Sequence, residues 1–163
     1  MFNRTTTVLA ATLLACFVAG ASSAVAQMAQ PFIPKHLYSE TANPRVDISA
    51  ALKQARAEKK RVILDFGGNW CGDCQVLDIY MHQAPNAELI EKSFVVVHVD
   101  IGHMDHNVDV AKKYKVPIDK GVPALAVLDA QGNLLYSQQN KEFEKMSNVR
   151  PEDVTAFLKH WKA

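Results

Sequence analysis

Apolar residues in this chain recur at helical spacing in some stretches and run almost unbroken in others. Ile48, Ala51, Leu52 and Ala55 share one helical face. Asp47 stands where it can cap that helix, and Glu58-Lys59-Lys60-Arg61 ends it, with cations where the helix dipole is negative. Val62 to Phe66 is short and rich in β-branched residues, which predicts a strand covered on both faces. Gly67-Gly68-Asn69 breaks it. From Cys71 onward Val76, Leu77, Tyr80 and Met81 return to helical spacing, Pro85-Asn86 interrupts, and Ala87 to Lys92 predicts a short second helix.

Phe94 to Asp100 is the clearest strand, nearly continuous in apolar residues as a central parallel strand should be. Asn107 can cap a short helix through Tyr114, with Val108, Ala111 and Tyr114 inward. Lys115 to Gly121 reads as a loop. Ala124 to Leu128 and Leu134 to Ser137 flank the turn Asp129-Ala130-Gln131-Gly132-Asn133, the pattern of an antiparallel hairpin. Residues 138–150 are polar and read as a loop. Pro151 opens a last helix whose buried face is Val154, Phe157, Leu158 and Trp161. The order αβαβαββα predicts an α/β sandwich of three layers, with a mixed sheet of about four strands and helices on both faces.

The first residues stand apart from this pattern. Arg4 is the only charge before Lys35; an apolar run from Val8 to Ala15 follows it, then Ala24-Val25-Ala26. That order predicts a signal peptide over residues 1–26, cleaved after Ala26, and hence a periplasmic, secreted protein. The apolar run is short for a membrane anchor, which needs ~20 residues. Leu13-Leu14-Ala15-Cys16 is similar to a lipobox, so lipoprotein processing at Cys16 is the minor alternative. Residues 27–45 carry Pro31, Pro34 and Pro44 and read as an extended arm, leaving 46–163 as one domain.

Composition narrows the function classes. Hydrophobic residues at 48% and charged residues at 21% fit a globular domain with a real core. Cleaving the signal peptide removes one cation, so the 17 acidic residues are then matched by as many basic ones. That balance gives no basic patch that would argue for nucleic acid.

Without Cys16, both remaining cysteines lie in Trp70-Cys71-Gly72-Asp73-Cys74, between a predicted strand and a predicted helix. Unpaired N–H groups at a helix start stabilise a thiolate, the nucleophile of disulfide exchange. Cys71 at that position can attack a partner disulfide, and Cys74, one turn deeper, can resolve the mixed disulfide. A purely structural bond would close a very small loop and constrain the unfolded chain little. No second cysteine pair completes a zinc site, and Gln75 stands where haem attachment needs histidine.

Asp65-Phe66, the Trp70 to Cys74 motif, Val122-Pro123 before a strand and the element order together resemble the thioredoxin superfamily over about residues 46–162. The resemblance implies a protein thiol-disulfide oxidoreductase with Cys71 as nucleophile, Cys74 as resolving thiol and a Cys71–Cys74 disulfide. It implies that Asp65 is a buried acid that takes the Cys74 proton, and that Pro123 is a cis proline facing the motif. Trp70, Gly72, Asp73, Val122 and Pro123 would form the surface that meets the substrate, with the Val122 backbone pairing with an extended partner chain.

Two departures bear on the chemistry. The strand Phe94 to Asp100 lacks the lysine that thioredoxins often set against the buried acid. Asp73 stands where thioredoxin has proline, and an anion beside the sulfurs disfavours the thiolate, which points to a reductant or mild exchanger. The expected partners are protein or small-molecule disulfides and dithiols. A membrane reductase would supply electrons, since the compartment is oxidising. The protein is expected to act as a soluble monomer with no cofactor beyond its cysteines. A disulfide oxidant or isomerase is the alternative, and a metal-delivery or partner-binding module is the non-enzyme one. For the metal reading His103 and His106 are the weak candidate ligands, in a stretch that reads as a solvated loop. His82 and His98 have no partner visible in the sequence.

Overall fold

The computed structural model describes residues 32–163; the expected signal peptide and Cys16 lie outside them. Helix α1 (Pro44–Glu58) leads into strand β1 (Arg61–Gly67), then α2 (Gly72–Met81), α3 (Asn86–Ser93), β2 (Phe94–Asp100), α4 (Val108–Lys113), β3 (Ala124–Leu128), β4 (Leu134–Ser137) and α5 (Pro151–Trp161). Turns of 3-10 helix stand at Ile118–Lys120 and Met146–Asn148. The order is the αβαβαββα expected from the pattern, with the second helix split in two.

The four strands lie in the order β2-β1-β3-β4. β1 pairs parallel with β2, with Asp65 opposite His98, and antiparallel with β3, with Asp65 opposite Leu125. β3 and β4 form the hairpin. β1 is central and apolar on both faces, so its alternate side chains feed two cores. Val62, Leu64 and Phe66 pack with Ile48, Ala51, Ala55 and Val99 beneath α1. Ile63 packs with Leu77, Met81, Leu125, Val154 and Leu158 beneath α2 and α5. Each fully buried large side chain contributes about 1.5–3 kcal/mol. Phe157 and Trp161 of α5 are only half-buried and pack against Tyr136 instead.

Three local expectations change. Helix α1 starts at Pro44, one turn earlier than an Asp47 cap would allow. Asn43 is its cap, and its side chain accepts from the Arg45 amide at 3.1 Å. Pro44 sits at the first helical position, where its missing N–H costs nothing, and Asp47 falls in the first turn. Asn107 precedes α4 in the left-handed conformation, but its side chain donates to the Asp100 carbonyl at 2.7 Å instead of capping the helix. The loop 138–150 is not wholly polar in its packing: Phe143 and Met146 are buried in the core beneath α5.

Candidate active site

β1 ends at Gly67, and the tight turn that follows delivers Cys71 to the N-cap of α2. Cys71 is extended there, and its Sγ accepts from the Cys74 amide at 3.1 Å. The two cysteines are joined as a disulfide. Cys71 is 5% exposed and Cys74 1%, so the outer sulfur is the reachable one. Gly72 beside it is exposed, and a side chain there would meet nothing within 4 Å. The approach to the disulfide is therefore open on that side.

Trp70 stands half-exposed at the rim. Its indole N–H donates to the Gly102 carbonyl at 2.6 Å, and its ring stacks on His103 at 5.5 Å between centroids. Across the site, the Val122–Pro123 bond is cis, as the resemblance implied, and the Val122 carbonyl oxygen lies 3.6 Å from Cys71 Sγ. Ala84–Pro85 is cis as well, which nothing in the sequence indicated. The buried Gln138 fixes the Pro123 loop: its amide donates to the Pro123 carbonyl at 3.0 Å, and its oxygen accepts from the Leu125 N–H at 3.3 Å. Asp73 turns to the backbone of the 138–150 segment, where Oδ1 accepts from the Met146 amide at 2.9 Å.

Beneath the disulfide, Asp65 is buried and its Oδ2 accepts twice: from the Tyr38 hydroxyl at 2.8 Å and from His98 Nδ1 at 2.9 Å. His98 therefore has a partner that the sequence did not reveal, and it stands on the strand where the resemblance leads one to look for lysine. Burial, then the charge and hydrogen bond of Asp65, push the Tyr38 hydroxyl well above the usual tyrosine range. His82 also has a partner: its Nδ1 lies 3.0 Å from buried Asp78, whose other oxygen pairs with Lys35 Nζ at 3.1 Å.

Tyr38 is the residue that sequence reasoning missed most completely. It lies in the arm, yet it is 1% exposed. Two side-chain amides grip the arm backbone as a neighbouring strand would. Asn69 accepts from the Tyr38 N–H at 3.0 Å and donates to its carbonyl at 2.8 Å; Gln75 does the same to Lys35 at 2.9 and 2.8 Å. A Cβ at Gly67 would collide with both the Tyr38 hydroxyl and Cys74 Sγ, so glycine there allows their close approach. Asn69 and Gln75, flanking the motif, were the only signals of this clamp.

His103 is engaged with Trp70, and His106 Nδ1 lies 3.5 Å from Asp100 Oδ2. Among the described residues no group of three His, Cys, Asp or Glu side chains is placed to hold a metal ion. None of the described helices is long and apolar enough to cross a membrane.

Residues 41–130 match the family described as Thioredoxin-like. The chain is similar to a disulphide isomerase from Xylella fastidiosa, with 30% identity and a TM-score of 0.73, covering 77% of this chain and 96% of that one. It shares its fold with the oxidised C-terminal domain of Neisseria meningitidis DsbD, at 17% identity and a TM-score of 0.55, covering 74% and 97%. Over 87 residues, 53% of this chain, it is 29% identical to the thiol:disulfide interchange protein DsbD of Vibrio cholerae, and it spans 14% of that protein's length.

Proposed function

The chain belongs to the thioredoxin-like family, and on that premise we propose an exported thiol-disulfide oxidoreductase that works as a reductant or mild exchanger. The observation that carries the reading is the Cys71–Cys74 pair at the start of α2, with the outer sulfur held by an amide and facing the Val122 carbonyl. Cys71 is the nucleophile. As a thiolate it attacks a sulfur of the partner's disulfide, and the N-terminal N–H groups of α2 stabilise its charge. Cys74 then attacks Cys71, releases the reduced partner and leaves the pair oxidised. Asp65 takes the proton that Cys74 gives up.

Trp70, Gly72, Asp73, Val122 and Pro123 form the surface against which a partner's chain lies. The half-exposed Trp70 and the open space beside Gly72 support this. Asp73, anchored to Met146, keeps a negative charge at the start of α2, where it disfavours a second anion on Cys71. That supports reduction or mild exchange over strong oxidation. The similarity to DsbD, a thiol:disulfide interchange protein, supports protein disulfides and dithiols as partners. In an oxidising periplasm, electrons for reduction come from a membrane reductase. Residues 1–26 act as the leader, followed by the arm 27–45 and the domain 46–163.

The 30% identity to a disulphide isomerase favours a second reading, in which the same pair reshuffles partner disulfides. Reduction of insulin by dithiothreitol tests the shared chemistry. The wild-type chain is expected to accelerate it, and Cys71→Ser to abolish the acceleration; an inactive wild type would overturn both readings.

A further inference from the structure

The chemistry above needs a group that accepts the Cys74 proton, and the surroundings of Asp65 say how that group is held. Its Oδ2 is engaged by donors from two different elements, Tyr38 of the arm and His98 of β2. Its Oδ1 is the one buried side-chain polar atom without a hydrogen-bond partner among the described residues. A buried carboxylate oxygen left unpaired is costly. Tyr38, whose hydroxyl binds Asp65 Oδ2, and Cys74 Sγ both crowd the same point beside Gly67.

We propose that His98 is a positioning residue for thiol-disulfide exchange: it holds Asp65 through Oδ2, leaves Oδ1 as the acceptor for the Cys74 proton, and places a positive charge beside the carboxyl group. This rests on the reading of Cys71 and Cys74 as the redox pair. In the resolving step the Cys74–Cys71 S–S bond forms and the bond from Cys71 to the partner sulfur breaks. The partner leaves as a thiolate with the electron pair, and the Cys74 proton passes to Asp65 Oδ1. The dithiol is oxidised and the partner disulfide reduced, so atoms and electrons balance without a further reactant.

The geometry of His98 suits this role. It lies opposite Asp65 in the β1–β2 register, and its ring meets Tyr38 edge-on at 5.3 Å. It borders a cavity of about 290 Å³ between α2, α3 and β2, which gives its far edge a route to solvent. The ionisable groups facing it are Tyr38 from the arm, Asp65 from β1, Asp78 and His82 from α2, Glu91 from α3 and Asp47 from α1. Asp65 and Asp78 favour the imidazolium. Burial opposes it, but the hydrogen bond and charge of Asp65 outweigh burial and raise the His98 pKa.

Stopped-flow mixing of the reduced mature protein, residues 27–163, with dithiobis(nitrobenzoate) tests this. The released thiol absorbs, so attack by Cys71 appears as a concentration-dependent first phase and attack by Cys74 as a concentration-independent second phase. The second phase of the wild type is expected to accelerate with pH. His98→Leu is expected to move its midpoint up by about one pH unit, which slows the phase up to about tenfold at pH values well below the wild-type midpoint, with the first phase unchanged. His98→Lys, which restores a cation, is expected to bring the midpoint back. Should His98→Leu fail to fold, His98→Gln keeps a donor without the charge and is still expected to raise the midpoint. Profiles that coincide with the wild type, or both phases shifting together, would overturn the proposal. Absence of any first phase in the wild type would instead refute the oxidoreductase reading.

Discussion

Asp65 and His98 face each other across the parallel pair β1–β2 and are joined by a contact of 2.9 Å, on the strand that lacks the lysine the resemblance leads one to expect. A titratable cation thus replaces a permanent one, and stability should carry its signature. The folded-state pKa of His98 is raised above its ordinary value. Its contribution is therefore fully present below about pH 6.5 and lost as the pH rises through the folded pKa. Urea unfolding of the oxidised protein checks this. The stability gap between the wild type and His98→Gln is expected to be widest near pH 5.5 and to narrow by pH 9.

Gln138 ties the Pro123 carbonyl to the Leu125 amide from a buried position. Gln138→Ala strands both groups, so a loss of about 1–3 kcal/mol is expected in urea unfolding. Insulin reduction should fall as well, since the loop that faces Cys71 loses its brace.

Asn69 makes both hydrogen bonds that hold the Tyr38 backbone. Asn69→Ala is expected to cost about 1–2 kcal/mol. Trypsin cleavage after the exposed Lys35 is expected to become faster, because the arm loses one of its two clamps.

Gly67→Ala inserts a methyl group against the Tyr38 hydroxyl and Cys74 Sγ. Overpacking of this kind typically costs about 1–3 kcal/mol, and thermal unfolding is expected to show it. Tyr38→Phe removes one of the colliding atoms and should recover part of the loss when combined with Gly67→Ala.

The fold was legible because its strands are local signals. Phe94 to Asp100 is apolar and bounded by polar turns, and β3 and β4 bracket a turn whose residues announce it. The cysteine pair was legible for the same reason, as spacing within one short stretch. The Asp65–His98 pair was not, because nothing around His98 states which strand lies beside it; that is a property of register. Tyr38 was hidden by its setting in a proline-rich arm, which is held by amides 31 residues from Tyr38 and 40 residues from Lys35. The start of α1 was encoded in Asn43-Pro44, a cap followed by proline, but Pro44 also reads as the end of an extended arm.

The central claim is a redox pair tuned toward reduction, and its reduction potential tests that most directly. Equilibration of the Cys71–Cys74 couple with glutathione buffers of known ratio, followed by Trp70 fluorescence or thiol trapping, gives the value. A potential near that of thioredoxin, about −270 mV, is expected, while a value near about −120 mV, that of a strong oxidant, would contradict it.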